Sequence, residues 1–339
     1  TVTDYDEDEI EKKISIQAAL AYGVKDNHKI NMIDTPGYAN FIWEARVSLR
    51  AVETAVLLVN AIEGVKVQSE KVFEYTQELN RSLVLVINKM KKELADFKTV
   101  YTSIKDSFGK NAIAVQLPIG SGSDFSGIVD LIEMKAYQYS GDEKGSVEAI
   151  EIPAELSDEI QKAREELIEK IAENDEKLME KYFDKGDLST DEIASGLRAG
   201  ILNRDIFPVL LTDALANIGV NHLIDFIIKY TPSPLDTGEI ECLEGHVKPD
   251  KSEDFAGLVF KTISDPFTGK ISIIRVFAGV FKPDSNYHNT NKSVEERVGG
   301  LFFLQGKNQE SAGEVNPGEI VAVAKLKETQ TGDTLTVKG

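Results

Sequence analysis

Over roughly the first 230 positions, apolar residues gather in short unbroken runs divided by stretches of three-and-four spacing. Ala55-Val56-Leu57-Leu58-Val59, Leu83-Val84-Leu85-Val86-Ile87 and Phe207-Pro208-Val209-Leu210-Leu211 are the runs. None alternates with polar residues, as expected of parallel strands buried on both faces. Around them, Ile42, Ala45, Leu49 and Val52 fall on one face of a helix, Gln68–Leu79 reads as a second, and Leu223, Phe226, Ile227 and Tyr230 mark a third. The strand–helix rhythm predicts an α/β fold with a parallel sheet. Ahead of it, Ser15–Tyr22 and Lys29–Ile33 flank the polar turn Lys25-Asp26-Asn27-His28 and predict a strand pair.

The rhythm breaks between Pro118 and Arg204. Within the charged stretch Leu156–Lys185, the residues Leu156, Ile160, Ala163, Leu167 and Ile171 form a narrow stripe, predicting an amphipathic helix with a charged outer face. The segment 118–204 is therefore an expected insertion into a domain spanning 1–231. Residues 232–251 are rich in Pro, Gly and charge and read as a linker. In 252–339 the short runs Ala256–Ile263, Gly269–Phe281 and Ile320–Lys325, with turns at Asp265-Pro266-Phe267 and Asn316-Pro317-Gly318 and no long helix, predict a small β-barrel.

A chain of 339 residues is long enough for two or three cores. No apolar run approaches the roughly 20 residues of a membrane span and no leader pattern opens the sequence, so the expectation is a cytoplasmic protein with no membrane contact. One cysteine, Cys242, excludes an internal disulfide, and the four scattered histidines give no zinc pattern. The formal net charge of −19 argues against nonspecific nucleic-acid binding. From Ser252 onward 10 Lys or Arg face 11 Asp or Glu, whereas the preceding part has 28 against 46. An acidic first part suits either solubility or basic protein partners.

Candidate chemistry sits at the ends of the strands. Asp34-Thr35-Pro36-Gly37 closes the second predicted strand, Asn88-Lys89-Met90 closes the run ending at Ile87, and Thr212-Asp213-Ala214-Leu215 closes the run ending at Leu211. Alone, the first is compatible with an ordinary turn. In this order the three are the places where a GTPase binds Mg²⁺ and the γ-phosphate, reads guanine, and supports the guanine carbonyl.

With these motifs the sequence resembles the translational GTPases, and among them elongation factor G and its paralogues. The likeness extends over nearly the whole chain, including Tyr230-Thr231-Pro232-Ser233-Pro234, Asp265-Pro266-Phe267-Thr268-Gly269-Lys270 and Thr331-Gly332-Asp333-Thr334-Leu335. It implies a Ras-like P-loop GTPase-type domain with an inserted α+β subdomain, followed by the small β-barrel that is domain II. It also implies GTP or GDP with Mg²⁺ as cofactors and the ribosome, both its RNA and its proteins, as partner, with a monomer off the ribosome. Asp34 and Ser15 would serve the metal; Asp34, Gly37, Asn88, Lys89, Lys91, Asp213, Ala214 and Leu215 would line the nucleotide; Tyr38 would take the catalytic position. The charged helical face of the insertion is either solvated or meets stalk proteins, and Phe267, Gly269 and Lys270 form either a tight turn or a loop toward ribosomal RNA.

The departures from the family pattern are specific. No Gly-x-x-x-x-Gly-Lys-Ser/Thr loop occurs in the sequence. Its strand and helix would precede Thr1, and since that strand is interior in the family, its loss would strip neighbouring strands of a backbone partner. The expectation is a fragment, an incompletely represented chain or a rearranged fold. Ser15 stands where the family has Thr, Asp213 where it has Ser, Tyr38 where the main family has His, and Lys91 where it has the base-reading Asp. A cation cannot accept the guanine N–H bonds; losing charge-assisted bonds of about 1.5–3 kcal/mol each would cut guanine selectivity by roughly ten- to several-thousand-fold. A phenol at Tyr38 hydrogen-bonds water but is a poor base, or it simply packs beside the following helix. Two functions follow as expectations: an elongation factor with impaired GTP turnover, or a noncatalytic ribosome-binding module.

Overall fold

The computed structural model describes residues 2–242, 245–265 and 269–338. The chain opens with α1 (Glu7–Lys12), capped by Asp6 and Glu9. Strands β1 (Ala19–Lys25) and β2 (His28–Asp34) then pair antiparallel, from Ala19 opposite Asp34 to Lys25 opposite His28. Asp26 and Asn27 carry φ of 49° and 61°, the two left-handed residues that a two-residue hairpin turn demands. Strand β1 starts later than the predicted Ser15. The amides of Ile16 and Gln17 are taken by Glu9 Oε1, and that of Ala18 by Glu44, on α2 (Ile42–Ser48).

The α/β elements follow: β3 (Thr54–Asn60), α3 (Val67–Glu78), β4 (Ser82–Asn88), α4 (Phe97–Phe108) and β5 (Ala112–Ala114). The insertion supplies β6 (Gln116–Ile119), β7 (Gly127–Asp130), β8 (Lys135–Tyr139) and β9 (Val147–Ile150), then α5 (Ser157–Ala172), α6 (Glu176–Lys185) and α7 (Thr190–Asn203). Strand β10 (Phe207–Leu211) and helix α8 (Val220–Tyr230) restore the rhythm. The parallel sheet has the order β3-β4-β10-β5, and the insertion's antiparallel sheet the order β6-β7-β8-β9. Both Leu83–Ile87 and Val209–Leu211 are fully buried, as their unbroken apolar runs require.

Two expectations are corrected here. Strand β3 was expected to be buried on both faces, yet Val56 and Leu58 are 40% and 56% exposed while Ala55, Leu57 and Val59 are buried. It lies at the sheet edge with one covered face: Thr54–Asn60 pairs with Ser82–Asn88 on one side, and among the described residues no strand pairs with its other side. The single helix expected over Leu156–Lys185 is two. The Asp175 carboxylate accepts the Lys177 and Leu178 amides and starts a new helix, because an N-terminal turn capped by a side chain competes with continuation of the previous one. The predicted stripe holds within α5, where Ile160, Leu167 and Ile171 are buried.

In the last third, β11 (Ile240–Cys242) and β12 (Gly245–Val247) pair antiparallel inside the predicted linker. There follow β13 (Ala256–Asp265), β14 (Gly269–Ala278), β15 (Asn286–Asn289), β16 (Val294–Arg297), β17 (Leu301–Gln305), β18 (Asn308–Ala312), β19 (Ile320–Ala324) and β20 (Thr334–Thr336). They make one antiparallel sheet in the order β16-β15-β20-β13-β14-β19-β17-β18. It wraps a core in which Phe255 stacks on Phe281 at 4.4 Å and Tyr287 packs against both rings. The Lys270 ammonium donates to the carbonyls of Lys327 and Thr329, 3.0 Å each, so it ties this sheet together. Phe267 lies outside the described residues.

The chain divides into two compact units, Thr54–Pro232 and a second that joins Thr1–Glu53 to Ser233–Gly339. In the second, Leu20 and Ala51 share a core cluster with Leu258, Phe260, Ile273 and Leu304. The Gly306 amide donates to the Leu20 carbonyl at 2.8 Å, and Glu44 and Glu53 pair with the buried Lys261 and Arg275. The hairpin thus packs with the β-rich region, a grouping that differs from a unit spanning 1–231.

One carboxylate staples the β-rich region. Glu296 accepts the amides of Lys327, Glu328 and Thr329 and the Thr329 hydroxyl, at 2.7–3.0 Å. Burial pushes its pKa up, but these bonds outweigh burial and hold it below the ordinary carboxylate range. A depressed folded pKa contributes stability that is complete above the unfolded value of about 4.3 and is lost as pH falls through the folded one. Glu296→Gln is expected to lower the melting temperature at pH 7 and to flatten its decline below about pH 5. Thermal melts across that range check both effects; identical pH profiles for the two proteins would refute the assignment.

Candidate functional site

Strands β4 and β10 are adjacent and parallel, with Leu85 opposite Val209 and Ile87 opposite Leu211. Their carboxyl ends therefore emerge together, the usual place for a ligand in an open α/β sheet. The Thr212 amide continues the ladder to the Ile87 carbonyl at 2.9 Å. The two following loops are then cross-linked by side chains. Asn88 Oδ1 accepts from the Lys89 amide at 2.8 Å, the Ala214 amide at 3.1 Å and the Thr212 hydroxyl at 3.2 Å. From the other loop, Asp213 Oδ2 accepts the Lys91 amide at 2.9 Å and Oδ1 the Ala216 amide at 3.0 Å.

The roles of these residues are thereby distinguished. Asp213 is 4% exposed with both oxygens engaged, so it positions the loops and has no free edge for a ligand. The Ala214 amide is engaged by Asn88. Lys89 holds φ of 69°, an uncommon conformation for a residue with a side chain, and it is exposed together with Lys91. Leu215 is 86% exposed at the loop tip. All six predicted base-site residues, Asn88, Lys89, Lys91, Asp213, Ala214 and Leu215, come together in one unit.

Two contributors were not singled out from sequence. The Thr212 hydroxyl completes the set of donors around Asn88 Oδ1, and Gly219 closes the 212–218 loop ahead of α8. Gly219 has φ of 79°, and a Cβ there would lie 2.2 Å from the Leu211 carbonyl oxygen. Only glycine allows that approach. Its position just ahead of a helical apolar pattern was the available signal.

The remaining predicted residues, Ser15, Asp34, Gly37 and Tyr38, belong to the other compact unit. Asp34 ends β2 and is exposed; Gly37 is open, with nothing within 4 Å of a built Cβ. Tyr38 is 59% exposed at the start of the turn Ala39–Phe41, so it is not packed beside the following helix. The Ser15 hydroxyl donates to the Asp4 carboxylate at 2.7 Å. Among the described residues no group of three or more His, Cys, Asp or Glu forms a metal cage. The Asp34 carboxylate and the Ser15 hydroxyl are oxygen donors of the kind Mg²⁺ takes, one or two at a time. A groove of about 590 Å³ bounded by Pro234, Leu235, Pro249 and Pro317 holds none of the predicted site residues.

Removing the Asn88 side chain would leave the Thr212 hydroxyl and two amides without their acceptor. Asn88→Ala is expected to cost about 2–3 kcal/mol in urea unfolding. Asp213→Ala should instead speed amide exchange selectively at Lys91 and Ala216. Unchanged exchange at both would show that the cross-link does not order the loops.

The crystal structure of a protein from Thermus thermophilus superposes with a TM-score of 0.87 at 25% identity, over 99% of this chain and 48% of that one. The chain therefore spans about half the length of that protein. Residues 254–338 match elongation factor G domain 2. Residues 1–233 match the elongation factor Tu GTP binding domain. The chain belongs to the translational GTPase family of the elongation factor Tu and elongation factor G type, with a GTP-binding domain followed by domain 2.

Proposed function

We propose that this chain is the nucleotide-responsive part of a ribosome-associated translation factor of the elongation factor G type, acting as a monomer when off the ribosome, in the cytoplasm. The observation that carries the proposal is the cross-linked pair of loops at the carboxyl ends of β4 and β10, in a chain that matches both families in order. Residues 1–231 are the GTPase-like domain, 118–204 its insertion, 232–251 the linker and 252–339 domain II. Among the described residues no helix is long and apolar enough to cross a membrane.

In this reading Asn88, Lys89, Lys91, Ala214 and Leu215 hold the base, with Asp213 fixing their loops. Asp34 and Ser15 hold Mg²⁺ and Gly37 approaches the terminal phosphate; the ion's contribution is to neutralise charge on the phosphates. Tyr38 occupies the position that orients water, and its exposure supports this over a packing role. The second reading, a ribosome-binding module without turnover, is favoured by Lys91, which stands where the family has the base-reading Asp.

The full-length native protein should pellet with ribosomes more completely with a nonhydrolysable nucleoside triphosphate than with the diphosphate. Nucleotide-independent pelleting would remove the switch from the proposal. Tyr38→His should raise ribosome-stimulated phosphate release about tenfold or more, equivalent to at least ~1.4 kcal/mol of barrier. Single-turnover release measures it: rapid hydrolysis with Tyr38 intact would refute impairment, and no release from either protein would select the noncatalytic module.

A further inference from the structure

We propose that the base-facing rim of this site prefers purine nucleotides carrying a hydrogen-bond acceptor at ring position 2, of the xanthosine type, over guanosine nucleotides. The proposal deepens the reading above, in which loops 88–91 and 212–216 hold the base. It follows from which groups the loops have already committed and which they leave free.

Asn88 Oδ1 receives three donors, so the side-chain group left for a ligand is the Nδ2 amine, itself a donor. That group suits the N7 acceptor common to purines. Lys91 stands where a carboxylate would read the opposite edge of the ring. Its backbone is pinned through the 2.9 Å bond to Asp213, so its side chain leaves from a fixed point on the rim. The Lys91 ammonium has no hydrogen-bond partner among the described residues, and the side chain is exposed.

Neither Asp213 nor Asp96 replaces the missing acceptor, and the exposed Glu93 stands two positions past Lys91, off the base-reading spacing. Asp213 is buried with both oxygens bound to Lys91 and Ala216 amides. Asp96 caps α4 through the Thr99 amide. The Asn88 and Lys91 side-chain groups left to a ligand on this rim are therefore both donors. Guanine presents an N1–H and a 2-amino group to Lys91, donor against donor, and those groups lose their water without gaining a partner. Hypoxanthine removes the amine. Xanthine replaces it with a carbonyl oxygen on an acidic ring that carries negative charge near neutral pH, which complements an ammonium in both hydrogen bonding and charge.

The test is calorimetric titration of the full-length native protein with xanthosine, inosine, guanosine and adenosine 5′-triphosphates in the presence of Mg²⁺. The expected order is xanthosine over inosine over guanosine, with about tenfold or more between first and last, or at least ~1.4 kcal/mol. Lys91→Asp should reverse the xanthosine–guanosine order. Lys91→Met should bring xanthosine down to the level of inosine, and an unchanged circular dichroism spectrum and melting temperature would show that the variant is folded. Guanosine binding more tightly than inosine, adenosine binding tightest, or a xanthosine-to-guanosine ratio unmoved by Lys91→Met would each overturn the preference alone. If none of the four binds, the assignment of these loops to a base falls, and the preference falls with it.

Discussion

Parallel pairing of β4 with β10 is the constraint on which the candidate site depends. Both strands are buried throughout their paired residues, so a one-residue slip would misalign every backbone hydrogen bond with no surface residue to absorb the error. With that register fixed, Asn88 and Thr212 leave the sheet side by side. Two loops separated by more than 120 positions then exchange side-chain acceptors for backbone donors. Each acceptor has low exposure or several donors, which makes the arrangement stiff before any ligand arrives.

The departures from the family pattern are not equivalent in this geometry. Asp213 in place of Ser is conservative in effect, because its carboxylate takes up the Lys91 and Ala216 amides and orders both loops. Lys91 in place of Asp is not, because it sets an exposed cation where the family has a carboxylate while its backbone stays anchored. One substitution builds the loops and the other changes what they present. Tyr38 belongs to a different class again, lying open at the start of a turn where its hydroxyl has room to meet water.

The second compact unit shows how a hairpin can be held by something other than the sheet it precedes in sequence. Leu20 enters a cluster with β13, β14 and β17 residues, Lys29 lies 3.5 Å from the Phe303 ring centroid, and its ammonium pairs with Glu319 at 2.6 Å. Glu53 and Glu44 meet the Arg275 and Lys261 cations, both largely buried. Burying a cation is costly unless it is paired, so these acidic residues help explain why Thr1–Glu53 groups with the β-rich region. Part of the acidity counted in the first 251 residues is thus spent on structure.

The sequence by itself determined the strand and helix types, the insertion, the β-rich second part and the residues at the ends of β2, β4 and β10. Those are local matters: unbroken apolar runs, three-and-four spacing, and turn residues such as Asp26-Asn27 report short-range backbone preferences and burial. Tertiary structure decided the rest. Strand β3 reads as doubly buried in composition, yet its edge position leaves Val56 and Leu58 exposed. The break at Asp175 was invisible to an apolar stripe that ends at Ile171, because a cap is a competition between side chain and backbone. That Asp213 is an internal brace, and that Asn88 Oδ1 is already saturated, depended on donors brought in from a distant loop. Hydrogen-bond saturation is a property of the folded network, and residue identity alone does not encode it.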